Sequence, residues 1–330
     1  MQIQDLTALL DKVNARFVLL LCHHNADPDA IGAAFALSRL LERLRPRIRI
    51  EIAAAEGPSR LSRQLLTVLP FKLSLYPPIE NADAIVLLDT NTIQQLDDWA
   101  DRVKGSAVPI IVIDHHASHP ETEKLATLSV SDENASSTCE IIYRFFMDMN
   151  VRFGEVEAKA LFLGIAFDTR HFILANSTTL KIVADLIDAG VNAREALALL
   201  SLPMQTSERI ARLKASKRAR LVRVGEWIVG FSHVGAFQAS AARALISLGV
   251  HVAIVVGQKN ERLKVSMRSS QVFYHATGFH LGRDLAKPLG EYLRGMGGGH
   301  AVSAGANGVG DWEACFKRTV RLIKEKIKTG

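Results

Sequence analysis

The chain has 330 residues, 48% hydrophobic and 22% charged, with a net charge of +6. This is the composition of a globular protein with one large domain or two moderate ones, and the charge permits a nucleotide or nucleic-acid partner without requiring one. The three cysteines, Cys22, Cys139 and Cys315, have no paired spacing, which argues against a disulfide framework or a cysteine-based zinc site and fits a reducing compartment.

In chain order, the apolar run "RFVLLLC" (16–22) predicts a buried strand, and a helical pattern follows from about Asp29 to Leu44. "RIRIEIAA" (47–54), "AIVLLD" (84–89) and "PIIVID" (109–114) read as further strands, with the helical "TIQQLDDWA" after the second of them. Apolar runs rich in Val, Ile and Leu that alternate with helices predict a mostly parallel sheet flanked by helices. From about 136 to 220 the pattern is helical, and 190–220 reads as the joint between domains. Strands then return in "EWIVGFSHV", "VHVAIVVGQ" and "RLKVSMRSS", before a glycine-rich loop and a terminal helix. The expected organisation is an α/β domain at 1–195, a helical linker at 196–220, and a smaller α/β domain with a mixed sheet at 221–330.

Two basic runs, 208–223 and 317–328, read as solvated helix faces. In the first, Ile210, Leu213 and Leu221 are expected to share one apolar helical face. No basic-then-apolar leader opens the chain, and runs such as "FVLLL" and "PIIVI" are too short to span a bilayer. A cytoplasmic protein without a membrane partner is expected.

Ligands of open parallel sheets bind beyond the carboxyl ends of the strands, and here those ends carry reactive side chains. The first strand ends at His23, with Asp27 and Asp29 in the next turn. The strand at 84 ends in Asp89, and the strand at 109 ends in Asp114, His115 and His116. Asp168 closes the helical run "LFLGIAFD" and could reach the same edge. A lone aspartate at a strand end is usually a turn or cap residue, and Asp29 taken alone could cap its helix. Three termini converging in this way are better explained by cations, because massed carboxylates repel one another unless neutralised. A His and Asp donor set without thiolate favours Mn2+ or a similar ion over structural zinc. A pair of such ions bridged by one carboxylate suits phosphoester hydrolysis.

"HHNADPDAIGA" (23–33), "LLDT" (87–90), "IDHH" (113–116) and "FDT" (167–169) resemble, in that order, the four motifs of the DHH phosphoesterase superfamily. That superfamily includes RecJ-type exonucleases, family II pyrophosphatases and the short nanoRNase/pAp-phosphatase group. "VSMRSS" (265–270) and "GMGGGHAVSAGA" (295–306) resemble the arginine strand and the glycine-rich histidine loop of the DHH-associated domain, so the likeness spans nearly the whole chain.

The resemblance implies two Mn2+ ions. His23 and Asp27 would hold one, Asp29, His115 and Asp168 the other, and Asp89 would bridge them. It implies that Asp114 orients a ligand imidazole and that His116 faces the substrate phosphate. It selects His23 over His24 by alignment on "DPDAIG". Ala26 stands where the family usually has Pro, and Arg170 where it often has Gly.

Consecutive glycines Gly297, Gly298 and Gly299 allow close backbone approach to a phosphate, with His300 and Arg268 as charged donors. The resemblance makes this group the clamp for the nonscissile end of the substrate, and the joint at 190–220 could then act as a hinge. The expected substrates are short oligonucleotides or nucleotides with a 5′ phosphate, including pAp, and a homodimer is compatible. The alternatives are a RecJ-like single-strand exonuclease, although this length leaves no room for its added OB-type module, a linear or cyclic dinucleotide phosphodiesterase, and a catalytically inactive scaffold.

Overall fold

The computed structural model describes residues 3–201 and 203–328. The chain forms two compact units, Met1–Leu202 and Pro203–Gly330.

The first unit is built on six strands: β1 (Phe17–Cys22), β2 (Arg49–Ala54), β3 (Leu73–Ser74), β4 (Ala84–Leu88), β5 (Ile110–Asp114) and β6 (Leu128–Ser131). They lie in the order β3-β2-β1-β4-β5-β6 with all pairs parallel. The unbroken apolar run of β1 follows from burial on both faces. Val18, Leu20 and Cys22 enter one core, while Phe17, Leu19 and Leu21 enter the other.

Helices Pro28–Leu44, Thr138–Asp148 and Glu155–Asp168 cover the first face. The last of these is buried from Ala160 to Ala166, which explains a sequence that is apolar around its whole circumference. It runs close against Pro28–Leu44, where a side chain on Gly32 would stand 2.6 Å from the carbonyl oxygen of Ala160. Helices Ser177–Asp188 and Ala193–Leu199 complete the unit.

The second unit carries a mixed sheet. Its strands are β7 (Arg220–Val224), β8 (Trp227–His233), β9 (Val252–Lys259), β10 (Arg262–Ser269), β11 (Gly297–Gly299) and β12 (Ser303–Val309), in the order β11-β12-β10-β9-β8-β7. The β8–β9 pair is parallel, joined through helix Gln238–Ser247, and the other pairs are antiparallel. Side chains alternate between two cores. Leu263, Val265 and Met267 face one of them, and Ala253 and Val255 face the other, together with Ala241, Ala242 and Leu245 of that helix.

The α/β class, the parallel first sheet and the mixed second sheet match the sequence reading. Three local expectations need correction. The basic run does not form one helix with an apolar face of Ile210, Leu213 and Leu221. The helix stops at Lys217, Leu221 lies on β7, and all three side chains are exposed. Ala211 and Ala215 are buried instead, so the small residues, spaced i and i+4, form the packed stripe. Residues 297–299 form a short strand rather than a loop. Helical segments Gln271–Thr277, Leu281–Ala286 and Lys287–Tyr292 precede that strand, where none was expected. Among the described residues, no helix is long and apolar enough to cross a membrane.

Candidate metal centre

Strand β1 pairs with β2 on one side and β4 on the other. The strand order therefore reverses beside β1, the place beyond whose carboxyl end open α/β sheets bind their ligands. His23 follows β1, Asp89 follows β4, Asp114 ends β5, and His115 and His116 come next.

Helix Pro28–Leu44 begins at the same edge. Asp27 is its N-cap, accepting hydrogen bonds from the Asp29 and Ala30 amides at 2.9 and 3.1 Å, with Pro28 in the first turn. The cap is thus Asp27 rather than Asp29. Only Oδ1 of Asp27 is used, and Oδ2 faces His23 Nε2 at 3.8 Å. Asp29 is fully buried. Its carboxylate accepts hydrogen bonds from the amides of Thr138 at 2.6 Å and Cys139 at 3.0 Å, at the start of helix Thr138–Asp148.

The structure brings the sequence-predicted acids and imidazoles of the first unit together in overlapping groups. His23, Asp27 and Asp89 form one triad, and Asp29, His115 and Asp168 another. The ligand atoms within each triad lie within 4.8 Å of one another. Asp89 is 4% exposed, and its two oxygens face different neighbours. Oδ2 stands 3.8 Å from His23 Nε2, and Oδ1 stands 3.7 Å from His115 Nε2. Its backbone sits at φ +53°, a left-handed conformation that Asp tolerates better than most residues. His23 Nδ1 is engaged by the His24 carbonyl at 2.7 Å, which leaves Nε2 toward the acids. His24 turns away to the Gln95 carbonyl and Asp97.

Asp114 has a different partner from the one expected. Its Oδ1 accepts hydrogen bonds from the amide and from Nδ1 of His116, each at 2.8 Å, and not from His115. Side chains two positions apart at a strand end leave on the same side, so Asp114 meets His116. Arg170 has φ +51°, as do its neighbours His171 at +57° and Phe172 at +68°. The family's frequent glycine at 170 suits that backbone.

The electrostatics point to cations. Burial first, and then the charges of Asp168, Asp89 and Asp27, push the Asp29 carboxyl well up. Burial likewise raises Asp89. The His116 hydrogen bond opposes this, and Asp27, Asp114 and Asp168 add to it. At His23, burial works against the charged ring, but the hydrogen bond and charge of Asp27 prevail, with Asp89, and hold its pKa at about 9. His116 is raised to about 11, chiefly by its hydrogen bond to Asp114 and then by Asp89.

His115 Nε2 lies 3.0 Å from Asp168 Oδ2, yet this buried nitrogen makes no hydrogen bond. A buried imidazole nitrogen facing carboxylates without a hydrogen bond, among acids that repel one another, fits a ligand set for divalent ions. The nearby thiols do not compete. Cys22 Sγ donates to the Ala30 carbonyl and Cys139 Sγ to that of Asp29, and burial first, then the acids, push both thiols up.

Two residues escaped the sequence reading. The Thr138 hydroxyl donates to Asp89 Oδ1 at 3.0 Å. Gly164 lies behind the centre, where a side-chain carbon would stand 2.3 Å from Cys139 Sγ and 2.7 Å from Asp29 Oδ1. The Ser-x-x-Glu pattern of Ser137 and Glu140 signals a helix start but does not reveal that the helix meets Asp29.

The remaining predicted site residues lie in the second unit. Arg268 is half-buried near the end of β10, opposite Ser303 of β12, and donates to the Met267 carbonyl at 2.8 Å. The His300 amide donates to the Ser303 carbonyl at 2.8 Å, so Arg268 and the turn carrying His300 share one end of the sheet. Two of the three glycines are required by packing. A side chain on Gly297 would stand 1.8 Å from the Ala286 carbonyl oxygen, and Gly299 has φ +137°. Gly298 faces open space.

The fold and the centre define a class, an α/β protein with clustered carboxylates and imidazoles beyond a parallel sheet, followed by a mixed-sheet unit. The DHH family, N-terminal domain, matches residues 17–165. An uncharacterised protein of Methanocaldococcus jannaschii is 34% identical over 97% of this chain and 94% of its own length. A probable bifunctional oligoribonuclease and PAP phosphatase of Streptococcus mutans is 25% identical over 96% of this chain and 98% of its own. The crystal structure of an exopolyphosphatase-related protein from Bacteroides fragilis superposes with a TM-score of 0.65 at 19% identity, covering 99% of this chain and 95% of that one, a likeness of fold. The chain belongs to the DHH family of phosphoester hydrolases.

Proposed function

We propose that this protein hydrolyses the phosphoester bonds of very short 5′-phosphorylated oligonucleotides and of pAp-like nucleotides, using two divalent ions, with Mn2+ the foremost candidate. The observation that carries the reading is that Asp89, a member of the first triad, faces His23 of its own triad through one oxygen and His115 of the second triad through the other. His23 and Asp27 would hold one ion, Asp29, His115 and Asp168 the other, with Asp89 shared. Ions held there supply Lewis acidity toward a phosphoryl oxygen and make water nucleophilic at neutral pH.

The chain's own groups add a charged donor. His116 is half-exposed and anchored by Asp114, whose hydrogen bond favours the charged ring. It is suited to donate from its free Nε2–H to a phosphate oxygen, a charge-assisted bond. In the second unit, Arg268, His300 and the amides of 297–299 are suited to a substrate phosphate away from the scissile bond. Support for a short substrate comes from the Streptococcus mutans relative, whose name carries both activities and which aligns end to end with this chain.

Gly298 offers a clean check of the glycine clamp, because an added methyl meets no atom of the protein within 4 Å. Gly298→Ala is expected to melt with the wild type. Its kcat/KM is expected to fall about 10- to 100-fold, the cost of disturbing one or two hydrogen bonds to a charged phosphate. Unchanged kcat/KM would remove the backbone of 297–299 from substrate binding.

The reading itself is tested by a direct comparison, with Mn2+, of a 5′-phosphorylated RNA dinucleotide, pAp, a long single strand, linear and cyclic dinucleotides, and pyrophosphate. Fast turnover of the dinucleotide and pAp, with the long strand lagging, is the expected result. Preference for the long strand would move the protein to the exonuclease alternative, and no turnover of any substrate would leave an inactive scaffold.

A further inference from the structure

Thr138 is fully buried and touches a member of each triad. Its amide donates to Asp29 Oδ2 at 2.6 Å, and its hydroxyl donates to Asp89 Oδ1 at 3.0 Å. The helix start that presents it is itself anchored. Ser137 caps it by accepting from the Glu140 amide at 3.1 Å. The buried Glu140 carboxylate accepts from the Ser136 amide at 3.2 Å, its hydroxyl at 2.7 Å and the Thr179 hydroxyl at 3.1 Å, and pairs with Arg144. Five polar contacts thus converge on residues 136–140, in a stretch without any proposed ligand.

We infer that Thr138 is a positioning residue that sets the orientation of the shared carboxylate, and with it the relation between the two ion positions. The inference rests on the two-ion reading above. Asp89 leaves a left-handed backbone at a strand end, so its side chain relies on neighbours to fix how it turns. Among those neighbours the Thr138 hydroxyl is an uncharged donor that does not compete for the ion. Asp29, in the other triad, is held by the amide of the same residue, so a shift of Thr138 would move both triads together. Partners of this kind behind metal ligands typically govern affinity by 10- to 100-fold.

The test uses the full chain and three variants. Thr138→Val keeps the shape and removes the hydroxyl, Thr138→Ser keeps the hydroxyl, and Thr138→Ala serves if the valine variant does not fold. Mn2+ binding to the stripped proteins is followed by titration calorimetry, together with the melting temperature, kcat and KM. For Thr138→Val we expect wild-type melting without metal, at least one Mn2+ site weakened about 10- to 100-fold, and a loss in kcat with little change in KM. Thr138→Ser is expected to stay within about threefold of wild type for both Mn2+ sites, as a retained hydrogen bond implies. Wild-type Mn2+ affinity in the folded valine or alanine variant would overturn the positioning role while leaving the two-ion reading intact. Failure of the wild-type protein itself to bind Mn2+ would overturn both.

Discussion

Asp89→Asn is expected to abolish hydrolysis in a protein that still folds. Asp89 faces His23 through one oxygen and His115 through the other. The amide keeps the shape but removes the charge from both sides and turns one of the two acceptors into a donor. Losing the shared anion should reduce bound Mn2+ from two equivalents to at most one and lower kcat/KM by at least about 10³-fold, roughly 4 kcal/mol of transition-state stabilisation. The fold should not suffer. Asp89 is buried among Asp27, Asp114 and Asp168, whose charges oppose its ionisation, so a neutral replacement relieves repulsion in the metal-free chain. Its melting temperature without metal should equal or exceed that of wild type. Circular dichroism, metal analysis and turnover check the three statements, and continued hydrolysis by a folded, metal-loaded variant would remove Asp89 from the centre.

The second large effect couples stability, pH and metal. Asp29, Asp89, His23, His115 and His116 all have pKa values raised in the folded protein. Each holds its proton more tightly folded than unfolded. The resulting stability is complete below the unfolded pKa and is lost as pH climbs through the folded one. The window opens at 3.8 for the two carboxyls, and for His23 it runs from 6.5 to about 9. Asp27 is lowered and has the opposite sign, but it acts below 3.8. Metal-free protein should therefore be less stable at pH 9 than at pH 6, by on the order of 1–3 kcal/mol, with the half-exposed His116 discounted for screening. Mn2+ takes the place of the protons. At one hundred times its dissociation constant it should add about 2.7 kcal/mol, with the larger relative gain at high pH. Urea unfolding at both pH values, with chelator and with Mn2+, measures this. Metal-free stability that stays flat or rises across the window would contradict the clustering of these groups.

The parts of the molecule legible in the sequence are those where one local rule dominates. Strands β1, β4 and β5 are unbroken apolar runs because both their faces are buried, and each run stops at a polar residue of the clustered acids and imidazoles. His23, Asp89, Asp114, His115 and His116 could be found in that way. Asp168 could be found because it ends the apolar run "ALFLGIAF" (160–167) that closes its helix. The illegible parts depend on contacts between distant segments. Thr138 meets Asp29 across 109 residues and Asp89 across 49, and nothing in "SSTCE" advertises either contact. The sites of Gly164 and Gly32 are set by a helix crossing. The basic run at 208–223 misled because its leucines and isoleucine fit a helical period, whereas the packed stripe is two alanines and the helix ends before Leu221. Strands β3 and β11, with two and three residues, are too short to carry a period, and within β11 it is Gly297 that a helical segment crosses directly, at the Ala286 carbonyl.

The most direct test of the central claim is a titration of stripped protein with Mn2+ while turnover of a 5′-phosphorylated RNA dinucleotide is followed. The account predicts no turnover in chelator, and turnover that rises to a plateau as the second equivalent per chain binds. Turnover that persists in chelator, or two equivalents bound without any hydrolysis, would contradict it.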